Sequence, residues 1–138
     1  MTTSPTDRRL ARLALAGLTA VALAAMAFRV AEASSSSPVP PGATEDQVQA
    51  GAHLFQTSTC NSCHGTDAHG TEQGPDLGSG HWLWSGGDLA GLRGTIAQGV
   101  AQPKQYGGPM PPMGGAQLSQ QDVDALAAYV WSVGHAGR

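Results

Sequence analysis

"CNSCHG", residues 60–65, spends both cysteines of the 138-residue chain within four positions and sets a histidine directly behind the second. Three chemistries compete for that spacing: a disulfide redox pair, half of a zinc site, and covalent haem attachment. A structural zinc site needs four ligands, usually drawn from two paired knuckles. Here there is no second cysteine pair, and His53, His69, His81 and His135 are scattered without a His-x3–5-His spacing. A redox pair sits after a strand, at a helix N-terminus in a βαβ pattern, and no β-rich run precedes Cys60. C-x-x-C-H is instead the attachment pattern of c-type haem. On that reading Cys60 and Cys63 add to the two vinyl groups and His64 becomes the proximal iron ligand. The pentapeptide alone leaves zinc and redox chemistry open as alternatives.

Composition bears on the choice. Aromatic residues are 5% of the chain, and 24 of the 78 residues from Pro38 to Gly115 are Gly or Pro. A density of that kind ordinarily means disorder, because so loop-rich a chain buries too little side-chain surface to offset its conformational entropy. A buried porphyrin, tied by two thioethers and an iron ligand, would supply the missing core. Charge is uneven. Residues 1–33 hold four Arg against Asp7 and Glu32, while the remainder sets Arg93, Lys104 and Arg138 against eight carboxylates, a net of −5. That balance excludes nucleic acid as a partner, and it directs any protein partner to meet this chain through a basic or apolar patch.

The first 33 residues read as an export signal or an anchor. Arg8, Arg9 and Arg12 precede the apolar run "LALAGLTAVALAAMAF" (Leu13 to Phe28), and "AEA" at 31–33 has the small-x-small pattern of a signal-peptidase site. The run is short of the roughly 20 residues of a bilayer span, which favours cleavage. The following "SSSSPVPPG" reads as a flexible tether, which favours an uncleaved anchor. Arg8-Arg9 is a weak twin-arginine match, and an ordinary positive n-region explains it better. Either way residues 34–43 are a Ser/Pro-rich linker and 44–138 an exported domain. Haem c is attached outside the cytoplasm, where these thiols would otherwise oxidise to a disulfide.

Helical periodicity appears in three places. "TEDQVQAGAHLFQ" opens with a Thr44–Gln47 capping box and predicts a helix over 45–57. Asp88 caps a short helix over 89–98, with Gly99 as its stop. Ser119 caps a last helix whose apolar stripe runs through Val123, Leu126, Tyr129, Val130 and Val133, with Gly134 as its end. No stretch alternates as a strand does. Between the second and third of these helices stands "GGPMPPMGG", with Met110 and Met113 in a Gly/Pro loop where core packing gives little reason for methionine. Prolines stiffen such a loop and lower the cost of holding a ligand there.

"GAHLF" before the haem motif, "CNSCHG", "GPDLG" after it and "MPPMGGAQLSQQDVDALAAYV" near the end stand in the order seen in exported mono-haem cytochromes of the compact all-α class. From about Thr44 to Val133 the chain resembles a c-type cytochrome domain with His–Met ligation. More narrowly, "HWLWSGGDLAGLRGTIAQGV" followed by "MPP" resembles the cytochrome subunit III domains of cbb3-type oxidases. Those subunits carry two haem motifs and this chain one, so only the domain type is taken from them. The resemblance implies an all-α cytochrome c fold, with three to five helices around one covalently bound haem c. It implies Met110 as the distal ligand, Met113 as a packing side chain, and a Pro75 carbonyl that accepts the proximal imidazole N–H. It also implies that Gly51 and Phe55 cross the last helix at Leu126 and Tyr129.

Among the remaining candidates, His81 is a rival iron ligand for a bis-His haem, and His69 reads as a solvent-exposed loop residue. Trp82 and Trp84 pack on the porphyrin, and one of them can donate its indole N–H to a haem propionate. Arg93 is a candidate propionate partner or a solvated residue on a helix face. The function implied is single-electron transfer in the bacterial cell envelope, in the periplasm or on the outer face of the inner membrane, with no substrate turnover. Its partners would be a redox donor and acceptor, a terminal oxidase or a dehydrogenase among them. The alternative is a haem enzyme or a gas or redox sensor with an open or displaceable distal site.

Overall fold

The computed structural model describes residues 37–136. The expected signal or anchor at 1–33 lies outside them. The folded body begins before Thr44: Pro40, expected in the linker, is fully buried, and its carbonyl accepts a hydrogen bond from the Ala43 amide at 3.1 Å.

Four helices and no strand make up the described residues. Helix α1 is Glu45–Thr57, α2 is Cys60–His64, α3 is Leu89–Gln98 and α4 is Gln120–His135, with a 3-10 turn at Pro112–Gly115 before α4. The architecture is all-α, as the sequence predicts. Each long helix starts where a side chain satisfies an orphan amide. The Thr44 hydroxyl accepts from the Gln47 amide at 3.2 Å, and the Gln47 side chain accepts from the Thr44 amide at 2.9 Å. The Asp88 carboxylate accepts from the Gly91 amide at 2.9 Å. Ser119 and Asp122 form a second reciprocal pair at the start of α4.

The end of α4 differs from expectation. Gly134 does not stop the helix, which continues to His135. This glycine serves packing: a Cβ there would stand 2.5–2.6 Å from the Trp82 ring and 3.0 Å from the Leu77 carbonyl oxygen. Among the described residues no helix is long and apolar enough to cross a membrane.

The core lies on two faces of α4. On one face α1 crosses it, and Phe55 and Leu126, each 1% exposed, pack with buried Ala68. The Phe55 and Tyr129 rings meet at 5.2 Å with a 53° tilt, within the range aromatic pairs prefer. Gly51 makes this crossing close, since a methyl there would overlap the Ala125 carbonyl. On the other face Leu92 of α3 packs on Ala127 and Val130, with Leu77 and Trp82 closing in from the loops. Burial on both sides is why Ala125, Ala127 and Ala128 are inside although they lie off the predicted stripe. The helices thus form walls, and the long Gly/Pro segments between them are left to line a cleft.

Candidate functional site

The cleft is built around α2. A five-residue helix places Cys60 and Cys63 three apart and His64 four from Cys60, so the two thiols and the imidazole emerge from one turn. Both thiols are free. The turn is tied down on several sides: the Thr71 hydroxyl donates to the Cys63 carbonyl at 2.6 Å, and the Gly70 amide donates to the His64 carbonyl at 2.8 Å. The Thr59 hydroxyl donates to the Gly114 carbonyl at 2.6 Å, linking the motif to the methionine loop 55 residues away.

His64 has a defined tautomer. Its Nδ1 lies 3.0 Å from the Pro75 carbonyl oxygen. A carbonyl only accepts, so Nδ1 carries the proton and Nε2 keeps its lone pair. Burial lowers the imidazole pKa, against a smaller opposing effect of the Pro75 hydrogen bond, and the ring is therefore neutral at pH 7. A neutral imidazole oriented by a backbone acceptor is the form that ligates a metal. Pro75 is itself held in place by the loop behind it. Buried Ala68, at a left-handed φ of 62°, offers its carbonyl to the amides of Leu77 at 2.8 Å and Gly78 at 3.3 Å.

Met110 lines the same cleft. Its amide and carbonyl exchange hydrogen bonds with Val100 at 3.0 and 2.8 Å, a single antiparallel bridge. Met113 also lines the cleft but sits in the 3-10 turn at φ 55°, a left-handed conformation rare for a residue with a side chain. The space within the cleft and its open mouth together is about 1330 Å³. Phe55, Leu77, Leu92, Ile96, Leu126 and Val130 give it an apolar interior.

The family model for cytochrome c matches residues 48–134. The chain belongs to the cytochrome c family. Among curated proteins it is 32% identical over 96 residues to the cbb3-type cytochrome c oxidase subunit FixP of Rhizobium etli, covering 67% of this chain and 32% of that protein. It is 41% identical over 100 residues to the subunit CcoP of Rhodobacter capsulatus, at 67% and 31% coverage. It is 32% identical over 94 residues to a lupanine 17-hydroxylase [cytochrome c] of a Pseudomonas species, at 67% and 12%. The chain thus spans about a third of the oxidase subunits it matches. No solved structure matches it significantly.

A cytochrome c domain carries covalently bound haem c. The residues present fit that group: paired free thiols, an imidazole with Nε2 available, and a thioether in one large apolar cleft. The other sequence candidates divide. Trp82 lines the cleft, with its ring edge against Gly134. Trp84 lines the mouth, 45% exposed, with the Lys104 ammonium 4.6 Å from its ring centre. His81 lines the cleft and His69 is exposed beside Asp76. Arg93 is not among the residues that line the cleft, and its Nε is 2.7 Å from the Asp124 carboxylate on α4, an interhelical ion pair.

The periodicity reading missed the Val100–Met110 bridge and the Thr59–Gly114 bond. One residue pair carries no strand periodicity, and Gly99 reads in sequence only as a helix stop. It also missed His135, which stacks on Trp131 at 3.8 Å and 12°. An i, i+4 aromatic pair at the end of α4 was the available signal.

Proposed function

We propose that this domain is a single-electron carrier of the cell envelope, with its haem bonded to Cys60 and Cys63 and its iron ligated by His64 and Met110. When bound, the haem supplies the one-electron Fe(III)/Fe(II) couple. The protein's part is to bind, orient and exclude water. The observation that carries the reading is the convergence of both thiols, His64 and Met110 on one apolar cleft, with Met110 fixed by two backbone hydrogen bonds.

Pro75 holds the imidazole in register through Nδ1–H, which raises its basicity as a ligand. A soft thioether ligand from Met110 would favour the reduced state and so raise the potential. Leu92, Ile96 and Val130 keep the interior dry, which favours the less charged iron further. The relatives named as oxidase subunits support a terminal oxidase as one redox partner, and a dehydrogenase remains the candidate on the donor side. The basic, apolar start of the chain supports export, with residues 1–33 as signal or anchor and the cytochrome domain in the periplasm or on the outer face of the inner membrane.

Carbon monoxide separates this reading from an open-site enzyme or sensor. The reduced protein should keep its visible spectrum under the gas, because the Met110 thioether would already hold the iron. Ready carbonyl formation would sink the carrier reading in favour of a displaceable distal site.

A further inference from the structure

Trp82 lines the cleft and reaches from it to the end of α4. Its indole is held at both edges by glycines. A Cβ on Gly134 would stand 2.5–2.6 Å from Cζ2 and Cη2 of the six-membered ring, and one on Gly87 would overlap Cδ1 and Nε1 of the five-membered ring. The rings continue beyond it. The His135 imidazole lies 6.4 Å from Trp82, centroid to centroid, at an interplanar angle of 27°. On Trp131 it stacks at 3.8 Å and 12°. Its plane is fixed by Nδ1, which donates to the Trp131 carbonyl one turn back at 2.7 Å. Trp82, His135 and Trp131 thus form one column, which starts at the cleft wall and ends at a partly exposed indole.

Packing alone does not ask for this arrangement. Aliphatic side chains close a helix end as well, without near-parallel rings and without two glycines admitting one indole. Stacked π systems do suit a tunnelling electron, whose coupling decays steeply across empty space and more slowly across closely spaced rings. Trp84 stands at the cleft mouth, one way out for the electron. The column opens a second. From Ala127 to Ala136 helix α4 carries no carboxylate, although the domain as a whole is acidic. A protein meeting this face meets an uncharged aromatic surface, and aromatic residues are enriched in protein interfaces.

We propose that the Trp82–His135–Trp131 column is an electron port, coupling the cleft to a one-electron acceptor protein that docks at the end of α4. This rests on the haem occupying the cleft with His64 and Met110 as ligands. One electron leaves the reduced iron and arrives at the acceptor's redox centre, so the iron is oxidised and the acceptor reduced by one unit each. The rings supply orbital overlap, and none of them is itself oxidised or gains or loses a proton.

The test is intramolecular electron transfer in the full-chain holo-protein, from a photoexcited ruthenium(II) polypyridyl label to the oxidised iron, since electronic coupling is the same in either direction. The label is attached through Ala136→Cys, next to His135, or through Gly107→Cys, in the loop before Met110, where a new Cβ meets nothing within 4 Å. Both native thiols are taken by the haem, so only the new one reacts. His135→Leu should slow transfer from the Ala136→Cys label several-fold and leave transfer from the Gly107→Cys label unchanged. His135→Phe, which restores a ring, should bring the rate back, with one midpoint potential shared by all. Should His135→Leu not fold, His135→Gln removes the ring, keeps a donor for the Trp131 carbonyl and carries the same expectation. Equal Ala136→Cys rates in wild type and the ringless variant overturn the port. So does a fall from both labels, or one that His135→Phe does not repair, since disturbed packing would then be the cause. The Fe–S charge-transfer band of the oxidised protein separates the two levels of failure. With the band present, only the port falls; its absence from wild type removes the Met110 reading as well.

Discussion

The crossing of α1 and α4 permits a quantitative test at Gly51. A Cβ at this position would overlap the Ala125 carbonyl oxygen and stand 2.6 Å from its carbon and 2.8 Å from Tyr129 Cβ. Two of these atoms are backbone, so no flexible side chain can swing aside. Returning the contacts to the ~3.5 Å of ordinary packing requires the helices to part by roughly 1 Å, and a gap of 0.5–1 Å forfeits about a quarter to a half of each contact's attraction. Phe55 and Leu126 sit at the crossing, each 1% exposed, and each contributes about 1.5–3 kcal/mol by burial. A quarter to a half of that sum is about 1–3 kcal/mol, in line with overpacking elsewhere. The better helix propensity of Ala over Gly returns about 1 kcal/mol. Gly51→Ala should therefore be destabilising by up to about 2 kcal/mol, and Gly51→Val, bulkier and β-branched, by more. Urea titration of the holo-protein, followed by helical circular dichroism, should show the midpoint of Gly51→Val lowered by on the order of 1 M at an unchanged slope. Gly107→Ala, with nothing within 4 Å of the new methyl, is the control and should move little. Colour should stay with the chain throughout. If Gly51→Val and Gly107→Ala share the wild-type midpoint, the close crossing is wrong.

Asp88→Ala removes the cap of α3 and should cost about 1 kcal/mol, read as a lowered urea midpoint. The Ser119 hydrogen bonds hold the Asp122 carboxyl below its ordinary value of 3.8. Its contribution should be full above that value and lost as pH falls through the lower folded-state value, so the stability gap between wild type and Asp122→Asn should close in acid. Gly99, at φ 69°, lies against the Met110 carbonyl and 2.7 Å, measured from a built Cβ, from Pro111 and Pro112 backbone atoms. Gly99→Ala should displace the Met110 bridge and let carbon monoxide bind the reduced protein more readily, while Gly107→Ala should not.

Much of the fold was legible because its signals are local. Thr44 with Gln47, Asp88 before Leu89, and Ser119 before α4 each mark a helix start through hydrogen bonds spanning three residues. The Cys60–His64 segment was legible as chemistry but not as a helix, since five residues carry no periodicity. Gly134 was misread as a stop because the Trp82 ring that needs its missing Cβ is 52 positions away. The Arg93–Asp124 pair was illegible for the same reason: Asp124 lies on another helix, and pairing between the two depends on how α3 and α4 pack. Likewise the rigidity of Met110 comes from Val100, a long-range bridge with no signature in either segment.

The oxidised visible spectrum is the most direct test of the ligation at the centre of this reading, because a methionine thioether on ferric haem gives a weak charge-transfer band at the red edge. Wild type should show the band, Met110→Ala should lose it, and Met113→Ala should keep it, with the haem covalently attached in all three. A band that survives Met110→Ala, or vanishes only in Met113→Ala, would contradict the assignment and put the iron ligand elsewhere in the cleft.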